Sequence, residues 1–357
     1  MEEIHLKKFQ SWLSQKSVEG ALLIDPINVS YFTGFTGDES FLFVTPEKSI
    51  FFTDSRYITQ AKSQLHGISL EENQRGLLGV IRYINDNFPL NDLGLEFSYV
   101  TANDYLTVKK KIRRPLIDIS PEIDRLRQVK DSDEILKIRR ACEISDHAFA
   151  LILEEIRPGM TELAVAAKLE SHFKELGASG PSFSTIVASG ARSALPHGIA
   201  SDKEIQEGDL VTLDFGCYYH GYTSDITRTI GIGHVSEDQK KIYQLVLRAN
   251  KDTIKILRQG VTGTEMHEKA HQIIDGAGYK KFFQHGLGHG IGRSVHEGPG
   301  SWGVYRNNPV IIGNVITIEP GVYLPNRFGV RIEDDVLITD HNYEVLTKAP
   351  KDDLIII

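Results

Sequence analysis

Cysteine is nearly absent from this 357-residue chain: only Cys142 and Cys217 occur, far apart and outside any CxxC pair. That excludes a disulfide framework and a cysteine-built zinc ribbon, and it points to reduced thiols and a cytoplasmic address. No apolar run approaches the roughly 18 residues needed to span a bilayer, so no membrane partner is expected. A strong charge of one sign is missing too. The net charge is -8 with both signs spread along the chain, which gives no electrostatic reason to expect a nucleic-acid partner. What remains is an ordinary globular profile, 41% hydrophobic and 25% charged. The length exceeds the size at which single cores usually stop growing, which predicts two domains.

The first third mixes short strands and helices. Leu6, Phe9 and Leu13 give residues 1–15 an i, i+3, i+7 apolar set, read as an amphipathic helix rather than a signal peptide. Residues 21–24 form an apolar run, and 41–44 with 50–52 flank a turn-like Thr45-Pro46-Glu47-Lys48, which predicts a hairpin. Residues 77–84 and 103–112 read as helices, 93–96 and 116–119 as strands. The charged, weakly periodic stretch 122–131 sets a domain boundary at about residue 125, giving domains 1–125 and 126–357.

Beyond it, Asp131 with Glu134 marks the start of a long helix that ends at Arg157-Pro158-Gly159. Thr161 caps a second helix that stops at Gly177. Ser236 with Gln239 opens a third, stopping at Gly260, and Thr262 with Glu265 opens a fourth. These helices carry an internal echo. Ile156-Arg157-Pro158-Gly159-Met160-Thr161 resembles Leu257-Arg258-Gln259-Gly260-Val261-Thr262. Downstream of each, an apolar strand ends in an acid, Asp214 or Glu319. A glycine follows two residues later, and then a second acid, Asp225 or Glu333. Two matched halves, each giving one hairpin with one acid per strand, place four carboxylates around a pseudo-twofold axis.

Buried carboxylates are costly unless paired or bound to metal. Asp225 or Glu333 alone reads equally well as half of an ion pair; four acids in two matched hairpins do not. Glu333 is expected on the same strand face as Arg331. The fifth member is His289, inside the glycine-rich run 285–292, where backbone approaches something closely. Four carboxylates and one imidazole fit two divalent ions about 3.5–4 Å apart. An oxygen-rich shell favours Mn2+, with Co2+, Fe2+ or Zn2+ also compatible. Such a pair generates hydroxide at neutral pH and stabilises the oxyanion of an attacked amide, which implies hydrolysis.

At these residues the sequence resembles the pita-bread metallopeptidases, the family of methionine aminopeptidase, aminopeptidase P and prolidase. The resemblance covers about residues 126–357, with five motif segments in order. It implies an α+β fold: a pseudo-twofold catalytic domain of two αβ halves around an antiparallel sheet, preceded by a smaller α/β creatinase-like domain. It implies that Asp225 and Glu333 bridge the metals, that Asp214 completes one ion's shell, and that His289 and Glu319 complete the other's. Glu319 would also handle the proton of the bridging water. Residues 1–125 resemble the N-terminal domain of the Xaa-Pro branch, through Tyr31-Phe32-Thr33-Gly34-Phe35 and Asp54-Ser55-Arg56-Tyr57.

Three histidines match that branch. His197 resembles a residue that contacts the scissile peptide, while His285 and His296 resemble groups that stabilise the tetrahedral intermediate. Arg331 resembles the strand neighbour that orients ligating acids. His220, His234, His267 and His271 match no motif and are expected at the surface. A proline nitrogen in a peptide bond carries no hydrogen, so a dedicated site needs a shaped apolar pocket for the ring. Trp302, Tyr218 and Tyr219 lie near the motif segments and are candidates to line it, although core or rim packing suits each as well. The implied activity is cleavage of the bond between an N-terminal residue and proline, in the manner of aminopeptidase P, with a dipeptide-only prolidase as the alternative. The proline-containing peptide is then the partner, and a homodimer is implied by the same resemblance. A non-catalytic peptide-binding relative would typically have lost metal ligands, and none is missing here.

Overall fold

The computed structural model describes residues 2–302 and 307–357, the side chains of Ser301 and Trp302 excepted. Met1, the first residue of the 1–15 helix expected above, and the ring of Trp302 therefore lie outside the described residues. The chain forms two compact units, Met1–Leu126 and Arg127–Ile357.

In the first unit the Glu2–Lys16 helix buries Leu6, Phe9 and Leu13, the residues its periodicity selects. A six-stranded mixed sheet forms the frame, with strand order 69–72, 49–53, 40–44, 21–23, 93–95, 116–118. The expected hairpin pairs Ser40–Val44 antiparallel with Ser49–Thr53. Helices Gly76–Asn87 and Ala102–Ile112 lie where the pattern placed them. Three elements carried no clear apolar period: the Ser69–Glu72 strand, and helices Pro26–Thr33 and Ile58–Gln64. The weakly periodic stretch 122–131 overlaps a helix, Ser120–Gln128.

The second unit starts its helices by side-chain capping. Asp131 Oδ1 accepts from the Asp133 and Glu134 N–H groups at 3.0 Å, and Asp131 N–H in turn donates to Glu134 Oε2 at 2.9 Å. The same reciprocal box starts Glu237–Ile254 at Ser236 and Gly263–Gly276 at Thr262, while Thr161 alone caps Glu162–Glu175. Each cap contributes about 1 kcal/mol. The third helix ends at Ile254, short of Gly260, because the chain turns there through successive tight bonds at Ile256 and Leu257.

The internal echo is a structural symmetry. Gly159 N–H donates to Ile205 O at 2.8 Å, and its counterpart Gly260 N–H donates to Val310 O at 2.9 Å. Ile205 and Val310 return bonds to Met160 O and Val261 O. Each half then lays down an antiparallel sheet. The first has strand order Ile226–Gly231, Leu210–Phe215, Ile186–Ser189. The second runs Glu297–Trp302, Gly288–Gly290, Val315–Ile318, Asp334–Ile338, Tyr343–Val345. In both halves a hairpin ribbon interrupts the chain between the acid-bearing strand and its return: Cys217–Thr223 in one, where Gly180–Pro181 adds a third short strand, and Gly321–Arg331 in the other. Each half has its own apolar cluster, one around Phe149, Leu169 and Leu213, the other around Val246, Met266 and Ile318. The sheets meet where Glu333 N–H donates to Thr227 O at 3.1 Å and Arg331 N–H donates to Thr229 Oγ1 at 3.2 Å. That junction brings the acids of the two halves together.

Candidate metal centre

Asp214 is the next-to-last residue of its strand, opposite Thr227. Asp225 stands immediately before the returning strand, which begins at Ile226. Glu319 follows the Val315–Ile318 strand, held by its N–H to Leu287 O at 2.8 Å. Glu333 departs from the strand expected to carry it alongside Arg331. The ribbon strand ends at Arg331 and the next begins at Asp334, so Glu333 occupies the break between them. Its N–H is taken by Thr227 of the opposite half, and that cross-link bends it out of the ribbon. His289 is the middle residue of Gly288–Gly290 and 6% exposed.

Those glycines explain the run around it. A Cβ on Gly288 would stand 2.1 Å from Thr317 O, and one on Gly290 would stand 2.2 Å from Gly298 O. The close approach inferred from the sequence is thus between neighbouring backbones, which squeezes the His289 strand between its partners.

The five candidate ligands converge. His289 Nε2 is 3.5 Å from Asp225 Oδ2 and 3.7 Å from Glu319 Oε1. Asp225, His289 and Glu333 each offer an atom within 4.8 Å of the others. His289 Nδ1 lies 3.2 Å from Gly290 O, a bond that leaves Nε2 free to present its lone pair to the acids. Burial, then the charge of Glu333, pushes both Asp225 and Glu319 well above the usual carboxylate range. Burial and Asp214 bring Glu333 up to about 8. Burial and the neighbouring His296 bring His289 down to about 4. Four carboxyls in this space repel one another, and positive charge among them is what lets all ionise.

Two buried oxygens, Asp214 Oδ1 and Asp225 Oδ1, have no hydrogen-bond partner among the described residues. Buried carboxylate oxygens without partners are expected where an ion is coordinated. Hard oxygen donors with one imidazole suit divalent cations, so the residues present fit the metal pair read from the sequence.

Around this centre the structure gathers the remaining predicted residues. His197, His285, His296, Glu319 and Arg331 line one cavity of about 230 Å³ together with Asp214 and His289. The His296 ring lies 4.0 Å from that of His289, centre to centre. Arg331, 3% exposed, donates Nη2 to Asp214 Oδ2, Nε to Thr227 Oγ1 at 3.0 Å, and Nη1 to Pro196 O at 3.1 Å. Thr227 in turn donates to Glu333 Oε2 at 2.6 Å. Arg331 and Glu333 are thus joined through the other half of the molecule.

Tyr323 was not singled out from the sequence. Its hydroxyl accepts from Arg331 Nη1 at 2.8 Å and lies 2.9 Å from His285 Nε2. His285 Nδ1 lies 2.7 Å from Gly286 O. The consistent direction runs Arg331 to Tyr323 to His285 to the Gly286 carbonyl, so both nitrogens of His285 are engaged inside the protein. Burial, followed by the Arg331 charge, brings His285 down to about 4, and it is neutral at pH 7. Ribbon alternation places Tyr323 on the same side as Gly321, and in the observed register Gly321 pairs with Arg331, so Tyr323 and Arg331 share that face; the signal depends on the register, which the sequence does not set.

The run after Arg331 shows how partners decide the fate of adjacent acids. Glu333 is raised, whereas burial of Asp334 is outweighed by Arg228 and Lys351, which bring it down to about 2. Asp335 Oδ2 accepts the Asp225 N–H at 2.9 Å and braces that residue. Tyr218 and Tyr219 do not line the cavity; Tyr219 packs edge-on to His220 instead. His267 is a correction. Expected at the surface, it is 7% exposed and packs on Phe283, since it falls on the buried face of Gly263–Gly276. His220 and His234 are exposed as expected, and His271 is half-buried.

Glu297 anchors the segment carrying His296. Its Oε2 accepts from Arg127 Nη2 and from the Arg293 and Ser294 N–H groups at 3.0 and 3.1 Å, and Lys130 Nζ stands 3.0 Å from Oε1. Burial raises this carboxyl, but Lys130 and Arg127 outweigh it and bring it down to about 2. Glu297→Gln is expected to lower stability by about 3 kcal/mol, because two cations are left buried without their anion. The ionised group stabilises fully above the unfolded carboxyl pKa of about 4.3, and that contribution is lost as pH falls toward 2. The melting gap between wild type and variant should therefore be full at pH 6 and narrow on acidification; a gap that widens would refute the pairing.

A buried carboxylate–imidazole cluster at the floor of a cavity, built from two symmetric halves, defines a hydrolase of the metallopeptidase class. The chain belongs to metallopeptidase family M24, whose description matches residues 136–340, and residues 5–129 match the creatinase/prolidase N-terminal domain. It has the pita-bread fold of that family. It is 38% identical to a Xaa-Pro dipeptidase of Pyrococcus furiosus, over 97% of this chain and 98% of the other. Among solved structures, a Xaa-Pro dipeptidase from Bacillus anthracis superposes with a TM-score of 0.95 at 38% identity, covering 100% of both chains. An X-Pro aminopeptidase from Thermotoga maritima superposes at 0.89, also 38% identical, covering 96% of this chain and 98% of that one.

Proposed function

We propose that this enzyme hydrolyses the peptide bond between an N-terminal residue and proline, using two divalent ions held by Asp214, Asp225, His289, Glu319 and Glu333. The observation that carries the reading is the convergence of these residues, two of whose buried oxygens have no partner among the described residues, beside the cavity that Asp214, His289 and Glu319 line with His197, His285 and His296. When bound, the ions supply a nucleophile at neutral pH and Lewis acidity toward the scissile carbonyl. Glu319 faces the cavity with a carboxyl poised to take the proton of the attacking water and return it to the proline nitrogen. His197 and His296, on the open side, donate toward the substrate carbonyl as charge develops there. Arg331 holds Asp214 and, through Tyr323, fixes the ring of His285 as a wall of the cavity.

Mn2+ is the proposed metal, with Co2+, Fe2+ or Zn2+ compatible with the same donors. The proposed setting is a cytoplasmic homodimer. The free, buried thiols of Cys142 and Cys217 support a reducing compartment, and no helix among the described residues is long and apolar enough to cross a membrane. Domains 1–125 and 126–357 are proposed as the functional division. Light scattering of the purified protein checks the dimer.

The dipeptide-only reading has at least equal support, because full-length relatives described as Xaa-Pro dipeptidases match this chain as closely as the X-Pro aminopeptidase does. The deciding assay incubates Mn2+-loaded protein with Arg-Pro-Pro and, separately, with Ala-Pro, following release of the N-terminal residue. Cleavage of the tripeptide is expected for an aminopeptidase P-like site. Cleavage of Ala-Pro alone makes the enzyme a dipeptidase, and cleavage of neither removes the proposal.

A further inference from the structure

One carboxylate clasps both feet of the loop that carries His197, and we propose that Glu162 is a positioning residue that sets His197 over the cavity. Glu162 is the first residue of its helix and has no exposed surface. Its Oε1 accepts from the Ser189 N–H and the Ser189 hydroxyl, both at 2.8 Å. Its Oε2 accepts from Arg192 Nε at 2.9 Å, from Ser201 N–H at 3.1 Å and from the Ser201 hydroxyl at 2.6 Å. Ser189 and Arg192 precede His197, and Ser201 follows it, so the loop is closed on this one group. Arg192 adds a strut across the loop, with Nη2 donating to Ile199 O at 2.6 Å. On the cavity side Arg331 holds Pro196 O, next to His197. His197 itself is exposed, so its placement depends on the backbone beneath it.

The symmetry of the fold supplies an internal control. Thr161-Glu162 corresponds to Thr262-Gly263, and both second residues make the same backbone bond: Glu162 N–H to Lys203 O at 3.0 Å, Gly263 N–H to Asn308 O at 3.4 Å. The turn and the helix start therefore form with glycine at this position. A buried carboxylate is expensive where glycine suffices. Among the described residues, all five hydrogen bonds that Glu162 accepts through its side chain come from residues flanking His197. Building the helix does not account for them; holding the loop does.

The kinetic half of the test rests on the Xaa-Pro hydrolase reading, and a second readout stands apart from it. Glu162→Gln, His197→Ala and the double variant are assayed as Mn2+-loaded full-length protein on Ala-Pro. Amide hydrogen exchange is measured on metal-free wild type and E162Q. E162Q is expected to lower kcat/KM about tenfold, with no further loss when added to H197A, because residues acting as one unit are non-additive. Exchange should rise across 190–200 while Leu210–Phe215 stays protected. Losses that multiply in the double variant, or unchanged exchange across 190–200, overturn the inference. Should E162Q fail to fold, Ser201→Ala removes one of its donors and takes its place in the same cycle. If wild type cleaves no Xaa-Pro peptide, the hydrolase reading falls and the exchange result alone decides the role of Glu162.

Discussion

Asp225→Asn is expected to lower kcat/KM on Xaa-Pro peptides by on the order of 10³-fold or more. Metal assistance supplies several kcal/mol of transition-state stabilisation, and each 1.36 kcal/mol is about tenfold in rate. The substitution keeps the shape of the side chain, and the Asp225 N–H still bonds Asp335 Oδ2, so the local backbone has no reason to move. What changes is charge. The variant loses one anion from a set whose members already repel, and metal-free protein should become more stable while metal affinity falls. Steady-state kinetics and a thermal melt with and without Mn2+ read both effects together. Wild-type turnover in the variant would sink the assignment of Asp225 as a ligand.

Arg331→Met should have the next largest effect, through residues it holds rather than through substrate. Arg331 bonds Asp214, Thr227, Tyr323 and Pro196 at once, each through the guanidinium. Its removal frees Asp214 Oδ2, drops the Tyr323–His285 pair out of register and loosens the His197 loop. Losing a partner that orients metal ligands typically costs about 10–100-fold in metal affinity or activity, and that range is expected here. Leaving Asp214 without its cation should also destabilise the fold by about 3 kcal/mol. Lysine should not rescue, because a single ammonium cannot reproduce four directed bonds. Full activity in Arg331→Lys would show that only the positive charge matters.

How much of this was legible in the sequence depended on the distance over which each signal acts. Helix starts were legible because caps are local: Asp131, Thr161, Ser236 and Thr262 each bond a residue two or three positions on. The acids were legible because an acid at the end of an apolar strand is costly, and the pattern occurs twice. The break at Glu333 was not, since it is imposed by Thr227, 106 positions away. The same holds for Glu297, whose role comes from Arg127, 170 positions away, and from Lys130, while the role of Tyr323 rests on the ribbon register that sets it beside Arg331. Glu162 carries a faint signal in the sequence: it corresponds to Gly263 in the repeat, a charged residue where the other half has no side chain. In the first unit the Ser69–Glu72 strand left no apolar trace, because it is an edge strand whose residues are half or fully exposed.

The most direct measurement is a metal titration of chelator-stripped protein, following Ala-Pro hydrolysis and bound metal together. Activity should be absent in chelator and return with Mn2+, reaching its plateau as two ions bind per chain. Full turnover in the presence of chelator, or a plateau with no metal bound, would contradict a metal-dependent centre at Asp214, Asp225, His289, Glu319 and Glu333.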